Sequence, residues 1–116
     1  MSASKRRTSF EMEIDVNFMN EEQSLNHFIK GDWKDSFYTF NDLDELAEHI
    51  SYAFHITSDE FRKRDGKHIF VKFIEGFGDF IRQENGSYEL SEEPDEGGKI
   101  IVNYEMTLEP TGTYAP

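Results

Sequence analysis

Two stretches near opposite ends of the chain alternate apolar and polar residues, broken only by Ile101 in the second, and this period of two is the strongest constraint on the fold. In SFEMEIDVNFM, Phe10, Met12, Ile14, Val16 and Phe18 fall on one side, and Glu11, Glu13, Asp15 and Asn17 on the other. KIIVNYEMTLE repeats the arrangement, with Ile100, Val102, Tyr104, Met106 and Leu108 opposed to Asn103, Glu105, Thr107 and Glu109. Successive side chains of a strand point to opposite faces, so each stretch predicts a strand with one buried and one wet face. Half-solvated strands belong to antiparallel sheets, and this placement predicts that the two ends of the chain pair or lie close.

Helical spacing appears between them. NDLDELAEHISYAF carries Leu43, Leu46, Ala47, Ile50, Ala53 and Phe54 on one stripe, with Asn41 or Asp42 placed to cap it. Asp42, Asp44 and Glu45 fall in its first turn. There the helix dipole favours an anion by about 0.3–1 kcal/mol, so these acids have a local structural use. NEEQSLNHFIKG reads as a shorter helix, capped by Asn20 and stopped by Gly31. DSFYTF reads as a short strand, and TSDE (57–60) as a helical turn carrying Phe61 into the core. RKRDGK follows as a basic turn.

KHIFVKFIEGFGDFIRQENG admits two readings. Its β-branched and aromatic content, with Asn85-Gly86, suits strands and a hairpin. Its periodicity suits a helix: Ile69, Phe70, Phe73, Ile74, Phe77, Phe80 and Ile81 fall within about 140° of arc, with Val71 outside it. The periodicity favours helix over residues 67–84. GSYELS is read as a strand, joined to the last one across EEPDEGG. The predicted fold class is α+β: a single domain, mainly antiparallel sheet with two or three helices packed on one face. It covers residues 9–110, between a flexible basic tail (1–8) and a C-terminal tail (111–116). A chain of 116 residues has room for one core, and eleven Phe, five Tyr and one Trp supply it. That aromatic content separates the chain from acidic disordered sequences.

The net charge is -12, from 24 acidic and 12 basic residues, and Lys5, Arg6 and Arg7 already lie in the N-terminal tail. Such a body repels nucleic acid and anionic membrane and attracts basic partners, with a strength that falls as salt rises. There is no cysteine for a disulfide, a thiol nucleophile or a thiolate metal site. No GxSxG or HExxH occurs, and Gly76-Phe77-Gly78 lacks the third glycine of a dinucleotide loop. The acids at 92, 93, 95 and 96 do not follow the ligand order of a calcium loop, and Glu45 with His49 lacks a third ligand. No enzyme, catalytic residue, metal or cofactor is therefore expected. No apolar run approaches the roughly 18 residues of a membrane span, and no apolar segment follows the basic N-terminus. A cytoplasmic location is expected.

What remains is the distribution of acids. The expected acidic face comprises Glu11, Glu13 and Asp15 on the first strand and Asp42, Asp44, Glu45 and Glu48 on the main helix. Glu92, Glu93, Asp95 and Glu96 form a supporting rim, and Trp33, Tyr38 and Tyr52 serve as aromatic anchors. In size, acidity and lack of cysteine the chain is similar to two classes of small non-catalytic protein. These are phage-encoded inhibitors that mimic DNA, and immunity proteins that neutralise basic nuclease toxins. The likeness is one of composition and assigns no residue a role. The functional expectation is an inhibitor of the nucleic-acid-mimic type, a monomer or homodimer that occludes a basic, nucleic-acid-binding surface of a target protein. It would bind neither nucleic acid nor membrane itself. An immunity protein is one alternative, and a homo-oligomeric assembly protein joined through a sheet edge or aromatic patch is another.

Overall fold

A computed structural model of the chain describes residues 3–91, 97–106, 109–110 and 112–115. After a short strand β1 (Arg7–Ser9) comes β2 (Met12–Phe18), then the helical turn α1 (Glu21–Ser24), which runs on as π-helix over Leu25–Lys30. A second turn α2 (Trp33–Ser36) leads to the main helix α3 (Leu43–Ile56). The strands β3 (Glu60–Arg64), β4 (Lys67–Ile74), β5 (Gly78–Arg82), β6 (Tyr88–Leu90), β7 (Ile100–Met106) and β8 (Gly112–Tyr114) follow.

Six strands form one sheet in the order β2-β7-β6-β5-β4-β3, antiparallel throughout. The run from β3 to β7 is a meander, and β2 closes the far edge on β7. The two alternating segments that predicted strands are therefore direct neighbours, with Ile14 opposite Tyr104, Val16 opposite Val102 and Phe18 opposite Ile100. The fold is α+β, with the helices on one face of the sheet.

Helix α3 starts where its sequence says it should. The Asp42 carboxylate accepts from the Glu45 backbone N–H at 2.9 Å, and Glu45 accepts in return from the Asn41 N–H at 2.8 Å. The stripe Leu46, Ile50 and Phe54 is fully buried against Phe80, Tyr88, Ile100 and Val102 on the inner sheet face. Phe54 meets Phe80 edge-on at 4.8 Å and Tyr88 at 5.4 Å, the arrangement that the ring quadrupoles favour.

Four local expectations fail. Residues 67–84 form the β4–β5 hairpin, not a helix. Gly76 and Gly78 have φ of 88° and 104°, which no right-handed helix accommodates, so the glycines outweigh the helical periodicity. DSFYTF is not a strand: Trp33–Ser36 is a helical turn, and the rings of Tyr38 and Phe40 gather on Trp33 and His49. TSDE makes no helical turn, because Glu60 already begins β3. Phe61, expected in the core, is exposed, since β3 is an edge strand beyond the cover of α3. In the basic segment, Asp65 (φ 50°) and Gly66 (φ 78°) make a two-residue turn of the kind that matches strand twist.

The termini also differ from simple tails. β1 pairs with β8 in a separate two-stranded ribbon, with Arg7 opposite Tyr114 and Thr8 opposite Thr113. The Cα radius of gyration is 17.8 Å, against about 13 Å for a compact domain of roughly this length.

The hairpin reverses two burial assignments, and that reversal is measurable. Val71, off the helical stripe, is 1% exposed, whereas Phe73, on it, is 55% exposed. Urea unfolding should show Val71→Ala costing roughly 1–3 kcal/mol and Phe73→Ala within about 0.5 kcal/mol of wild type. The opposite ranking would restore the helix.

Candidate functional site

The burial of Leu46, Ile50 and Phe54 dictates what α3 shows to solvent. Asp44, Glu45, Glu48, Tyr52, His55 and Ile56 are exposed. Asp44, Glu48, Tyr52 and Ile56 are spaced four apart and so follow one row along the helix. Tyr52 and Ile56 are 66% and 61% exposed, which is unusual investment of apolar surface on an acidic helix. No Lys or Arg occurs between Lys34 and Arg62. Asp42 and Glu45 are committed to the cap, whereas Asp44 and Glu48 enter no hydrogen bond or ion pair among the described residues.

The strand acids lie elsewhere. Ile14, Val16 and Phe18 turn inward to pack on the core, so Glu13 and Asp15 point from the opposite face of the sheet. Glu13 stands directly across from Glu105, a like-charge pair that costs stability and concentrates negative potential. Glu11 is exposed just before β2. The expected acidic residues are thus divided between the outer sheet face and the outer face of α3. Glu92, Glu93, Asp95 and Glu96 lie outside the described residues.

Of the three aromatic anchors, Tyr52 is open to solvent and Tyr38 is 37% exposed, its ring 4.4 Å from that of His49. Burial holds the His49 imidazole below its usual pKa. Trp33 is no surface anchor, being only 9% exposed. Its indole N–H donates to the Gly76 carbonyl at 3.0 Å, and its ring lies 5.1–5.2 Å from those of Phe28, Phe37 and Phe77. These rings line a cleft of about 460 Å³ beside the β4–β5 turn, completed by Phe73, Leu90 and glycine backbone. His27 and Glu75 are its ionisable members among the described residues. A Cβ at Gly76 would stand 3.0 Å from the Trp33 ring and 3.2 Å from Phe37, so the glycine that sets the turn also lets the indole close down. The cleft's signal in the sequence is Gly76 flanked by aromatic residues at 73 and 77.

A polar cluster where α3 runs into β3 was likewise unforeseen. Asp59 accepts from the Tyr88 hydroxyl at 2.7 Å, with Lys72 Nζ at 3.5 Å and an Arg82 nitrogen at 3.7 Å. Lys72 is buried on the inner face and also donates to the Thr57 carbonyl. Tyr104 donates to the Phe54 carbonyl at 3.1 Å. These bonds tie the end of α3 to the sheet. Burial, with the bond to Asp59 and its charge adding, pushes the Tyr88 hydroxyl up to about 12.

Positive charge collects on the opposite edge. Arg62, Lys63, Arg64 and Lys67 lie along the β3–β4 hairpin. Arg62 reaches Glu60 at 2.7 Å and, across β4, Asp79 at 2.9 Å. Beside it, Phe61 packs on Phe70 at 5.2 Å and on His68 at 4.8 Å, and Arg82 lies 4.0 Å over the Phe70 ring. Among the described residues no group of three His, Asp or Glu side chains is arranged to hold a metal, and no helix is long and apolar enough to cross a membrane. The chain matches no protein-family model, and no curated protein or solved structure matches it either.

The Tyr88 shift gives a pH dependence of definite sign. The hydroxyl ionises at 10.0 in the ordinary case and at about 12 here, so the fold favours the neutral form. Its contribution is complete below pH 10 and is lost as pH rises through 12. Melting temperatures measured between pH 9 and 12 should fall less steeply for Tyr88→Phe than for wild type. Parallel curves would show that the hydroxyl has no linkage to folding.

Proposed function

We propose that the chain is a non-enzymatic binding protein of the cytoplasm, whose α3 face docks on a basic protein and occludes its nucleic-acid-binding surface. One observation carries this reading: a solvent-facing helix row that begins in unpaired carboxylates and ends in exposed Tyr52 and Ile56. Charges alone give steering and specificity but modest affinity, whereas a buried aromatic or aliphatic anchor supplies most of the binding energy. The row holds both.

Magnitudes support a groove that otherwise receives nucleic acid. Asp42, Asp44, Glu45 and Glu48, of which the two cap acids add to the field while Asp44 and Glu48 are free to make contacts, span six residues of rise, or about 9 Å of helix axis. That is one charge per 2–3 Å, roughly within a factor of two of duplex DNA. A nuclease toxin is one form such a target takes. Affinity capture from a lysate, read by mass spectrometry, tests the proposal. Wild type should retain basic, nucleic-acid-binding proteins at about 0.05 M salt and release most by about 0.5 M. Asp44→Lys, Glu48→Lys and Tyr52→Ala combined should lose them without loss of fold. Capture indifferent to salt and to these substitutions would sink the reading.

A second reading, self-assembly, is favoured by the opposite charges of the two sheet edges. β2 carries Glu13 and Asp15, and β3, at the other edge, carries Lys63 and Arg64. Edge-to-edge addition of copies would set acid against base. Light scattering decides: growth in mass with concentration that Lys63→Glu with Arg64→Glu abolishes supports it, and a concentration-independent monomer removes it.

A further inference from the structure

We infer that the cleft beside the β4–β5 turn is a receptor for an arginine side chain of the basic partner. This rests on the reading of the partner as a basic protein and names a contact that the acidic helix does not supply.

The walls are the first argument. Trp33, Phe28 and Phe77 form a mutually packed back wall, with the indole orientation fixed by its bond to the Gly76 carbonyl. Phe37 and Phe73 line the same cleft yet remain 47% and 55% exposed, so the cleft presents apolar ring surface to solvent. The volume of about 460 Å³ falls within the usual range of ligand pockets and exceeds what one side chain needs.

The charge of the cleft favours a cation. Among the described residues Glu75 is the lining carboxylate, and no Lys or Arg side chain lines the cleft. His27 is the other ionisable lining group among the described residues, and its ring is packed edge-on against Phe28 at 4.7 Å. Aromatic rings with one carboxylate are the surroundings that a cation seeks, since ring faces are electron-rich and the acid supplies the counter-charge. A planar guanidinium fits better than an ammonium. It stacks on rings, sheds its hydration more readily and forms parallel bonds to a carboxylate.

His49 of α3 touches Tyr38 and Phe40, and its ring lies 6.4 Å from that of Phe77, while Phe40 stacks on Trp33 at 6.2 Å. A continuous run of rings therefore joins the acidic helix to the cleft. A partner steered to α3 has a nearby socket for one of its arginines.

Trp33 is the sole tryptophan, so its emission reports on the cleft without labelling. The probe is a capped Gly-Arg-Gly peptide, with Gly-Gln-Gly as control, titrated into the intact chain. We expect a saturable change in Trp33 emission with the arginine peptide and none with the glutamine peptide. Glu75→Gln and Phe73→Ala should each weaken the arginine response by roughly 2- to 30-fold. Both residues are exposed, and circular dichroism should show the fold unchanged. No saturable change, an equal response to both peptides, or a Glu75→Gln variant with undiminished affinity would each overturn the inference. Because the lysate capture varies only α3, the two ideas fail separately. Capture lost through the α3 substitutions beside a cleft indifferent to arginine would remove the socket and leave the docking helix.

Discussion

The structure depends on how far one helix reaches. Leu46, Ile50 and Phe54 of α3 seal the inner face of β5, β6 and β7, and the ring contacts of Phe54 with Phe80 and Tyr88 centre that seal. A helix of 14 residues is about 21 Å long, while six strands at about 4.8 Å spacing span roughly 24 Å between outer strands. The cover is therefore incomplete. Where it stops towards β3, the same sheet face carries exposed Phe61 and Phe70, with Arg82 laid over the latter. Beside the β4–β5 turn, the short helical segments take over and leave a cleft in place of a packed layer.

That geometry also sorts the charges. The acids of the chain serve three different ends. Asp42 and Glu45 hold a helix start; Asp59 neutralises a buried Lys72 and receives the Tyr88 hydroxyl; Glu13 faces Glu105 with no compensation among the described cross-strand pairs. Removing a member of the second group leaves a buried charge unpaired, which costs folding energy. Removing a member of the third relieves repulsion. Only groups of the last kind, and the unpaired acids of α3, are available to a partner without weakening the fold.

What was legible in the sequence was whatever rested on a period set by a single face. β2, β7 and α3 each bury one face or stripe, and their residues said so. The 67–84 segment misled because β4 is buried in part on both faces: Val71 and Lys72 are adjacent and both buried. A two-sided strand loses its alternation, and chance spacing then mimics a helix. The glycines at 76 and 78 were the better guide, since backbone sterics are less negotiable than periodicity. Phe61 misled differently, since hydrophobicity says that a side chain gains from burial but not that anything is there to bury it. Trp33 went from anchor to wall because Phe77 and the Gly76 carbonyl, which close on its ring, lie on a hairpin 43 or more positions away, and no local pattern announces their meeting. The Asp59 cluster joins residues up to 29 positions apart and was invisible for the same reason.

The ribbon of β1 and β8 brings the two ends of the described chain together, with the Thr8 and Thr113 hydroxyls 3.0 Å apart. In engineering terms this makes the molecule a candidate for cyclisation or circular permutation: a short linker could join the ends, and new ends could open at the Asp65-Gly66 turn. It also means that anything fused before β1 or after β8 departs from the same pole.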